Sequence, residues 1–182
     1  MPPSAFVVGQ WVRGAKFYGR RALLDEILEG PRNSIWLLGT RRIGKTSMLK
    51  QLEFLTADPE KSGFCPIFWD FQGAEDLVAV VSGVAIKKRW ESEGSPWYNF
   101  FEEIQVRPFR QDDARELIEK PIRGIFKLEK GVVDRIIERT EGKPYHIQRV
   151  CVALVNRLHE EKRRTVTLAD VEAVAQSLEA RA

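Results

Sequence analysis

Apolar positions change rhythm along this chain, and each change marks an element. Residues Pro2 to Phe17 form an arm with scattered apolar positions and read as extended. From Arg20 to Leu28 the residues Leu23, Leu24, Ile27 and Leu28 recur at helical spacing, and Gly30-Pro31 ends the run. Ser34-Ile35-Trp36-Leu37-Leu38 is short and nearly all apolar, the pattern of a strand buried on both faces of a parallel sheet. An amphipathic helix follows from Lys45 to Leu55, with Met48, Leu49 and Leu52 on one face. Two more apolar runs, Cys65–Phe71 and Leu77–Ser82, predict further strands.

Beyond Gly83 a polar, tryptophan-bearing loop runs to Ser95-Pro96, and from Arg110 the pattern is helical throughout. One helix is predicted over Gln111–Glu119, ended or bent by Pro121. The next buries Val132, Val133, Ile136 and Ile137 and closes at Gly142. Tyr145–Glu160 carries the stripe Ile147, Val150, Cys151, Leu154, Val155 and Leu158. A last helix starts near Leu168 behind a Thr167 cap, with Val171, Val174, Ala175 and Leu178 inward. The expected organisation is an α/β core with a mostly parallel sheet over residues 1–107 and an all-helical domain over residues 108–182.

The link between the second and third predicted strands does not fit this scheme. Only Gln72–Asp76 separates them, whereas a parallel neighbour needs a crossover of roughly a dozen residues or more. Either the two runs are antiparallel, or an element of the sheet is missing between them.

Composition narrows the function classes. The chain has 182 residues, 43% hydrophobic and 30% charged, as in an ordinary globular protein. A net charge of +3 does not imply nucleic acid. The most basic cluster, Lys162-Arg163-Arg164, follows Glu160 and Glu161 and reads as a solvated helix end. Cys65 and Cys151 are far apart, His146 and His159 are isolated, and no metal-ligand spacing occurs. Buried thiols in a reducing compartment are the expectation. No run is long enough to span a bilayer, and Met1-Pro2-Pro3-Ser4 lacks the basic start and apolar core of a signal peptide. The sequence therefore predicts a cytoplasmic protein.

The chemistry concentrates in one segment. Gly39-Thr40-Arg41-Arg42-Ile43-Gly44-Lys45-Thr46 fits G-x-x-x-x-G-K-[ST] at every fixed position. A chance match in a chain of this length is on the order of one in a hundred. A predicted buried strand precedes the segment and an amphipathic helix follows it, as the mechanism requires. The glycines let backbone amides wrap phosphate oxygens, and the helix start adds unpaired N–H groups and positive dipole. Lys45 is expected to reach the β- and γ-phosphates, and the Thr46 hydroxyl to ligate Mg²⁺, with Ser47 next to it. Arg41 and Arg42 are open to either a phosphate contact or exposed packing. The fold class predicted is thus an α/β P-loop nucleotide-triphosphatase core with a mostly parallel sheet and a C-terminal all-helical domain.

The arm Phe6-Val7-Val8-Gly9 leading to Phe17-Tyr18-Gly19-Arg20-Arg21, the loop Gly39–Thr46 with Ser47-Met48-Leu49, and Gly142-Lys143-Pro144-Tyr145 together resemble prokaryotic ATPases of the AAA+/STAND type, related to the Orc/Cdc6-like group. The resemblance runs in order through nearly the whole chain. It implies that Phe17, Tyr18, Gly19 and Arg20 pack beside the adenine of ATP, and that Gly142-Lys143-Pro144 is where a helical lid returns over the nucleotide. It also implies an apolar strand ending in an acidic pair. No such strand is present: Asp70 is followed by Phe71-Gln72, and Glu75-Asp76 has no apolar run before it. The gap coincides with the short link noted above. Without that pair the positioning of water is poor and turnover slow, so Lys45 is the best catalytic candidate. Ser82 and Arg89 are further candidates for sensing the γ-phosphate.

The leading expectation is an ATP-dependent switch in which nucleotide closes the lid onto the core. A hydrolysis-deficient nucleotide-binding scaffold or protein-interaction module is the alternative, with a protein partner or a second copy as its counterpart. A small-molecule kinase would need a second, arginine-rich substrate lid, which is not evident. DNA binding through the terminal helices rests on analogy alone.

Overall fold

The computed structural model describes residues 5–30, 35–64, 66 and 102–180. The described residues form an α/β protein with two small parallel sheets of two strands each. Two compact units divide the chain. One contains Trp11–Phe17 and Arg21–Arg107; the other contains the stretch up to Gln10, Tyr18–Arg20 and the segment from Pro108 onward.

In the α/β unit, helix α1 (Arg21–Glu29) leads to strand β1 (Ile35–Leu38), helix α2 (Lys45–Leu55) and a single helical turn, α3 (Pro59–Ser62). Strand β2 (Glu102–Gln105) lies parallel to β1, in the register Ile35↔Glu102 through Leu38↔Gln105. Val106 extends the pairing by donating its N–H to the Leu38 carbonyl at 2.7 Å. Leu24, Leu37, Ile43, Met48, Ile104 and Val106 form the core of this unit. Each buried aliphatic side chain of this kind contributes about 1.5–3 kcal/mol.

The predicted helices match closely here, with α2 spanning the expected residues and β1 lying within the expected run. Two findings differ from the sequence reading. Strand β2 falls between Pro96 and Arg110, where the sequence reading placed no element. The arm, read as extended, contains a 3₁₀ turn at Gly14–Lys16. The strands expected at Cys65–Phe71 (apart from Pro66) and Leu77–Ser82, their link Gln72–Asp76, and the candidates Asp70, Ser82 and Arg89 lie outside the described residues.

The helical unit comprises α4 (Gln111–Glu119), β3 (Lys127–Leu128), α5 (Val132–Thr140), α6 (Pro144–Glu160), β4 (Thr165–Val166) and α7 (Leu168–Glu179). Its core takes in most of the predicted stripes, with Val132, Ile136, Ile147, Leu158 and Val171 fully buried, while Ile137, Val155 and Leu178 pack against it partly buried; Ile118 on α4 joins it. Phe6, from the N-terminal arm, is buried in the same core. Pro121 follows α4 in a 3₁₀ turn, Lys120–Ile122, so the helix tightens where its N–H supply fails. Gly142, at φ +65°, ends α5, its N–H donating to the Ile137 carbonyl at 3.2 Å. Pro144 then opens α6, where its missing N–H costs nothing. Cys151 is buried in α6, which pushes its thiol up to about 12. Among the described residues, no helix is long and apolar enough to cross a membrane.

The loop between α6 and α7 is locked by one buried carboxylate. Thr167 and Asp170 form a reciprocal capping box at the start of α7. The Arg163 guanidinium donates to Asp170 Oδ1 at 2.7 Å and to the Thr165 carbonyl at 3.1 Å, and it also pairs with Glu161. Part of the basic run at Lys162–Arg164 is thereby used internally. Asp170 is only 3% exposed. The Arg163 hydrogen bond, reinforced by the Thr167 backbone, holds its carboxyl down to about 2 from an ordinary 3.8.

A folded-state value below the unfolded one means that the contribution is complete above about pH 4 and is lost as pH falls toward about 2. Asp170→Asn is therefore expected to cost about 2 kcal/mol at pH 7 by urea unfolding. The gap between variant and wild type should shrink to near zero at about pH 2. A gap that stays constant across that range would contradict this account.

Candidate nucleotide-binding site

The segment Gly39–Thr46 forms a tight turn from the end of β1 into the start of α2. Gly39 has φ +152°, and a Cβ there would stand 2.7 Å from the Val106 carbonyl oxygen and 3.1 Å from the Ile43 side chain. Glycine is required on both counts, because backbone cannot yield as a flexible side chain does. Gly44 is the N-cap of α2 at φ +102°, another conformation that L side chains rarely adopt. Ile43 lies between them, buried in the core of the α/β unit. The turn is thus held from below by one apolar side chain, while Thr40, Arg41 and Arg42 face solvent. Arg42 also sits at φ +64°.

Lys45 is the first residue of α2, and its ammonium curls back over the turn. Nζ donates to the Gly39 carbonyl at 2.9 Å and to the Thr40 carbonyl at 3.1 Å. Partial burial lowers its pKa from the usual lysine value. Gly44, the N-cap of α2, has no side chain with which to cap the helix. The amides of the first turn and the ammonium therefore form one electropositive rim, as anion chemistry at a helix start requires. Thr46 is exposed in that first turn. The Ser47 hydroxyl instead accepts the Val12 N–H at 3.2 Å.

The remaining predicted residues divide between the units. Phe17 packs partly buried on the α/β core. Tyr18, Gly19 and Arg20 belong to the helical unit, as does Pro144, which is buried. There Gly19 N–H donates to Glu116 and Arg20 N–H to Asp113, both at 3.3 Å. A Cβ on Gly19 would meet the Asp113 side chain at 2.7 Å. The Arg20 guanidinium lies 4.8 Å from the Phe109 ring centroid. Burial pushes its pKa down to about 10, against the opposing pull of Asp113. Gly142 accepts the Phe109 N–H at 2.8 Å, which ties the Gly142-Lys143-Pro144 corner to the start of the helical segment.

Sequence reasoning missed the role of β2. Glu103 exposed, Ile104 buried, Gln105 exposed and Val106 buried follow a period of two, so a strand signal was present. Nothing local disclosed that Val106 would press on Gly39. Gln51 was also missed: its Oε1 accepts the Gly14 N–H at 2.6 Å, a pairing across 37 residues that leaves no local trace.

The chain matches no protein-family model, no curated protein and no solved structure.

The crowding at Gly39 makes a direct prediction. Gly39→Ala is expected to destabilise the chain by ~2 kcal/mol or more, combining backbone strain with overlap on Val106. Gly63 has a positive φ but nothing within 4 Å of the place a methyl group would take, so Gly63→Ala should cost about 1 kcal/mol. Thermal melting of the two variants checks the order, and equal losses would refute the packing argument.

Proposed function

We propose that this chain binds a purine nucleoside triphosphate, ATP with Mg²⁺, at Gly39–Thr46 and works as a nucleotide-dependent switch of the AAA+/STAND type. The observation that carries the proposal is the position of the Lys45 ammonium, 2.9 Å and 3.1 Å from the carbonyls of Gly39 and Thr40. It is held over the mouth of a turn whose helix start has no side-chain cap. A phosphate entering there exchanges two neutral acceptors for charged oxygens, which bind an ammonium about twice as strongly. The first-turn amides of α2 supply further donors without reorganisation.

The residues fit the magnesium ion as well. Mg²⁺ keeps several waters and takes phosphate oxygens with one or two protein ligands, and the exposed Thr46 hydroxyl suits one such place. When bound, the ion would neutralise charge between the β- and γ-phosphates. The chain's own part is to bind and orient. Lys45 supplies the fixed charge, Gly39 and Gly44 supply the backbone curvature, and Ile43 fixes the turn to the core.

Adenine recognition by Phe17, Tyr18, Gly19 and Arg20, and a lid role for the helical unit beginning near Pro144, complete the proposal. A switch needs two states that ATP binds with different affinity, and a helical unit distinct from the phosphate-binding unit is a suitable moving part. Because Asp70 lacks a neighbouring acid, hydrolysis is proposed to be slow.

Titration with a fluorescent ATP analogue and Mg²⁺ tests the proposal. Lys45→Ala is expected to weaken binding by about 10- to 100-fold, the loss of charge-assisted hydrogen bonds. Thr46→Val should remove most of the Mg²⁺ dependence while leaving metal-free binding within about threefold. Unchanged affinity in Lys45→Ala would overturn the assignment.

A further inference from the structure

The cations of the helical unit fall into two groups. Arg115, Lys120, Arg135, Arg139 and Arg163 are each paired with a carboxylate. Arg123, Lys127, Lys130, Lys162 and Arg164 are exposed, and among the described residues their side chains have no ion pair or hydrogen bond. These five are also gathered in one place. Arg123, Lys127 and Lys130 lie on the segment through β3, and Lys162 and Arg164 on the one that enters β4. The Lys127 N–H donates to the Arg164 carbonyl at 2.7 Å, and Lys127 stands in register with Thr165. The basic run at Lys162–Arg164 is therefore divided: Arg163 is spent on Asp170, and its two neighbours face solvent. From Arg123 to Lys130 the one acid is Glu129.

An apolar tip stands among these charges. Ile125, 54% exposed, is the most exposed large apolar side chain among the described residues. It follows Gly124, whose φ of +78° turns the chain with nothing within 4 Å of a side-chain position. The turn is firmly built. The N–H groups of Ile125 and Phe126 both donate to the carbonyl of buried Ile122, at 3.0 Å and 3.1 Å, and Phe126 packs against the core. Leu168, 44% exposed, is a second apolar group: its Cδ2 lies 3.9 Å from where a side chain on Gly131, next to Lys130, would start.

We propose that this β3–β4 end of the helical unit docks on an anionic lipid bilayer, with Ile125 entering the acyl boundary and the five cations among the headgroup phosphates. Charge complementarity calls for a polyanion, and the apolar tip decides which one. A nucleic-acid backbone would satisfy the cations but leave Ile125 and Leu168 against phosphate and water. The one aromatic ring of the segment, Phe126, packs on the core and is not offered to a base. A bilayer receives both kinds of group. Apolar side chains reach about 5–10 Å into the headgroup boundary, and each Lys or Arg near an anionic surface adds attraction. Attachment of this kind lies on the surface and needs no spanning helix. It does not rest on nucleotide binding.

Flotation of the full chain with vesicles, in the absence of nucleotide, tests the surface. Binding is expected to vesicles of one part phosphatidylglycerol to two parts phosphatidylcholine, and not to phosphatidylcholine alone. It should fall steeply as salt is raised. Lys127→Gln combined with Lys130→Gln is expected to weaken binding about 25-fold, near fivefold for each cation. Ile125→Ser should weaken it about fivefold through lost apolar burial, and Glu129→Gln should strengthen it about threefold. Arg110→Gln is the control. Arg110 is exposed and equally without an ion pair, but α4, about 13 Å long, separates it from the turn at Ile125. Its loss should change binding less than twofold.

No binding to the anionic vesicles overturns the proposal. So does a loss in Arg110→Gln equal to that of Lys127→Gln alone, because net charge rather than this surface would then be at work. Binding of a nucleic-acid duplex in place of vesicles, undiminished by Ile125→Ser, assigns the cations to a phosphate backbone and also overturns it. Should Ile125→Ser fail to fold, Ile125→Thr keeps the branched shape and carries the same comparison.

Discussion

Everything in the α/β unit depends on how closely β2 approaches the turn after β1. The Val106 carbonyl occupies the space in which a side chain on Gly39 would stand, and the Val106 N–H is spent on Leu38. The residue that follows β2 thus fixes the end of β1 and forces the chain to leave it as glycine. Ile43 is drawn under the turn by the same core, and α2 begins at once, with Lys45 folded back over Gly39 and Thr40. The result is a rigid electropositive rim built mostly from backbone, which is what a phosphate-binding proposal asks of it. Backbone donors need no rotamer search, so such a site is ordered before any ligand arrives.

The helical unit is built on different physics. Its stability is distributed over the apolar stripes of α4 to α7 and does not rest on a single close contact. Two of its buried polar side chains are matched: Thr140 Oγ1 donates to the Ile136 carbonyl, and Asp170 is enclosed by Thr167 and Arg163. The surface between α5 and α7 carries a charge network, Arg135 and Arg139 with Glu172, which counts for less because it is solvated. Such a unit tolerates substitution at its surface and resists it at its caps and core.

The arm relates these two kinds of structure through covalent connectivity. Its anchors alternate between hydrophobic burial and directional hydrogen bonds, and its glycines sit where the backbone must turn. Phe6 lies in the core of the helical unit, and Gly14 is bonded to a helix of the α/β unit.

Much of this was legible from the residues in order. The stripes of α4 to α7, the Thr167 cap, the stop at Gly142 and the glycine-rich turn between an apolar run and an amphipathic helix are local patterns. Their physics acts within three or four residues, so spacing alone discloses them. Strand β2 was less legible, because four residues bearing two glutamates carry little signal until a parallel partner is supplied. The bond from Gly14 to Gln51, the burial of Phe6 and the pressure of Val106 on Gly39 were not legible at all. They join positions far apart in the chain, and no local periodicity encodes which distant surface a side chain will meet. The sequence by itself determined the helices, their caps and the chemistry of the turn, because those follow from near neighbours. Only the tertiary structure decided what the turn rests on and where the arm is tied, because burial and long-range hydrogen bonding exist only once the chain has closed on itself.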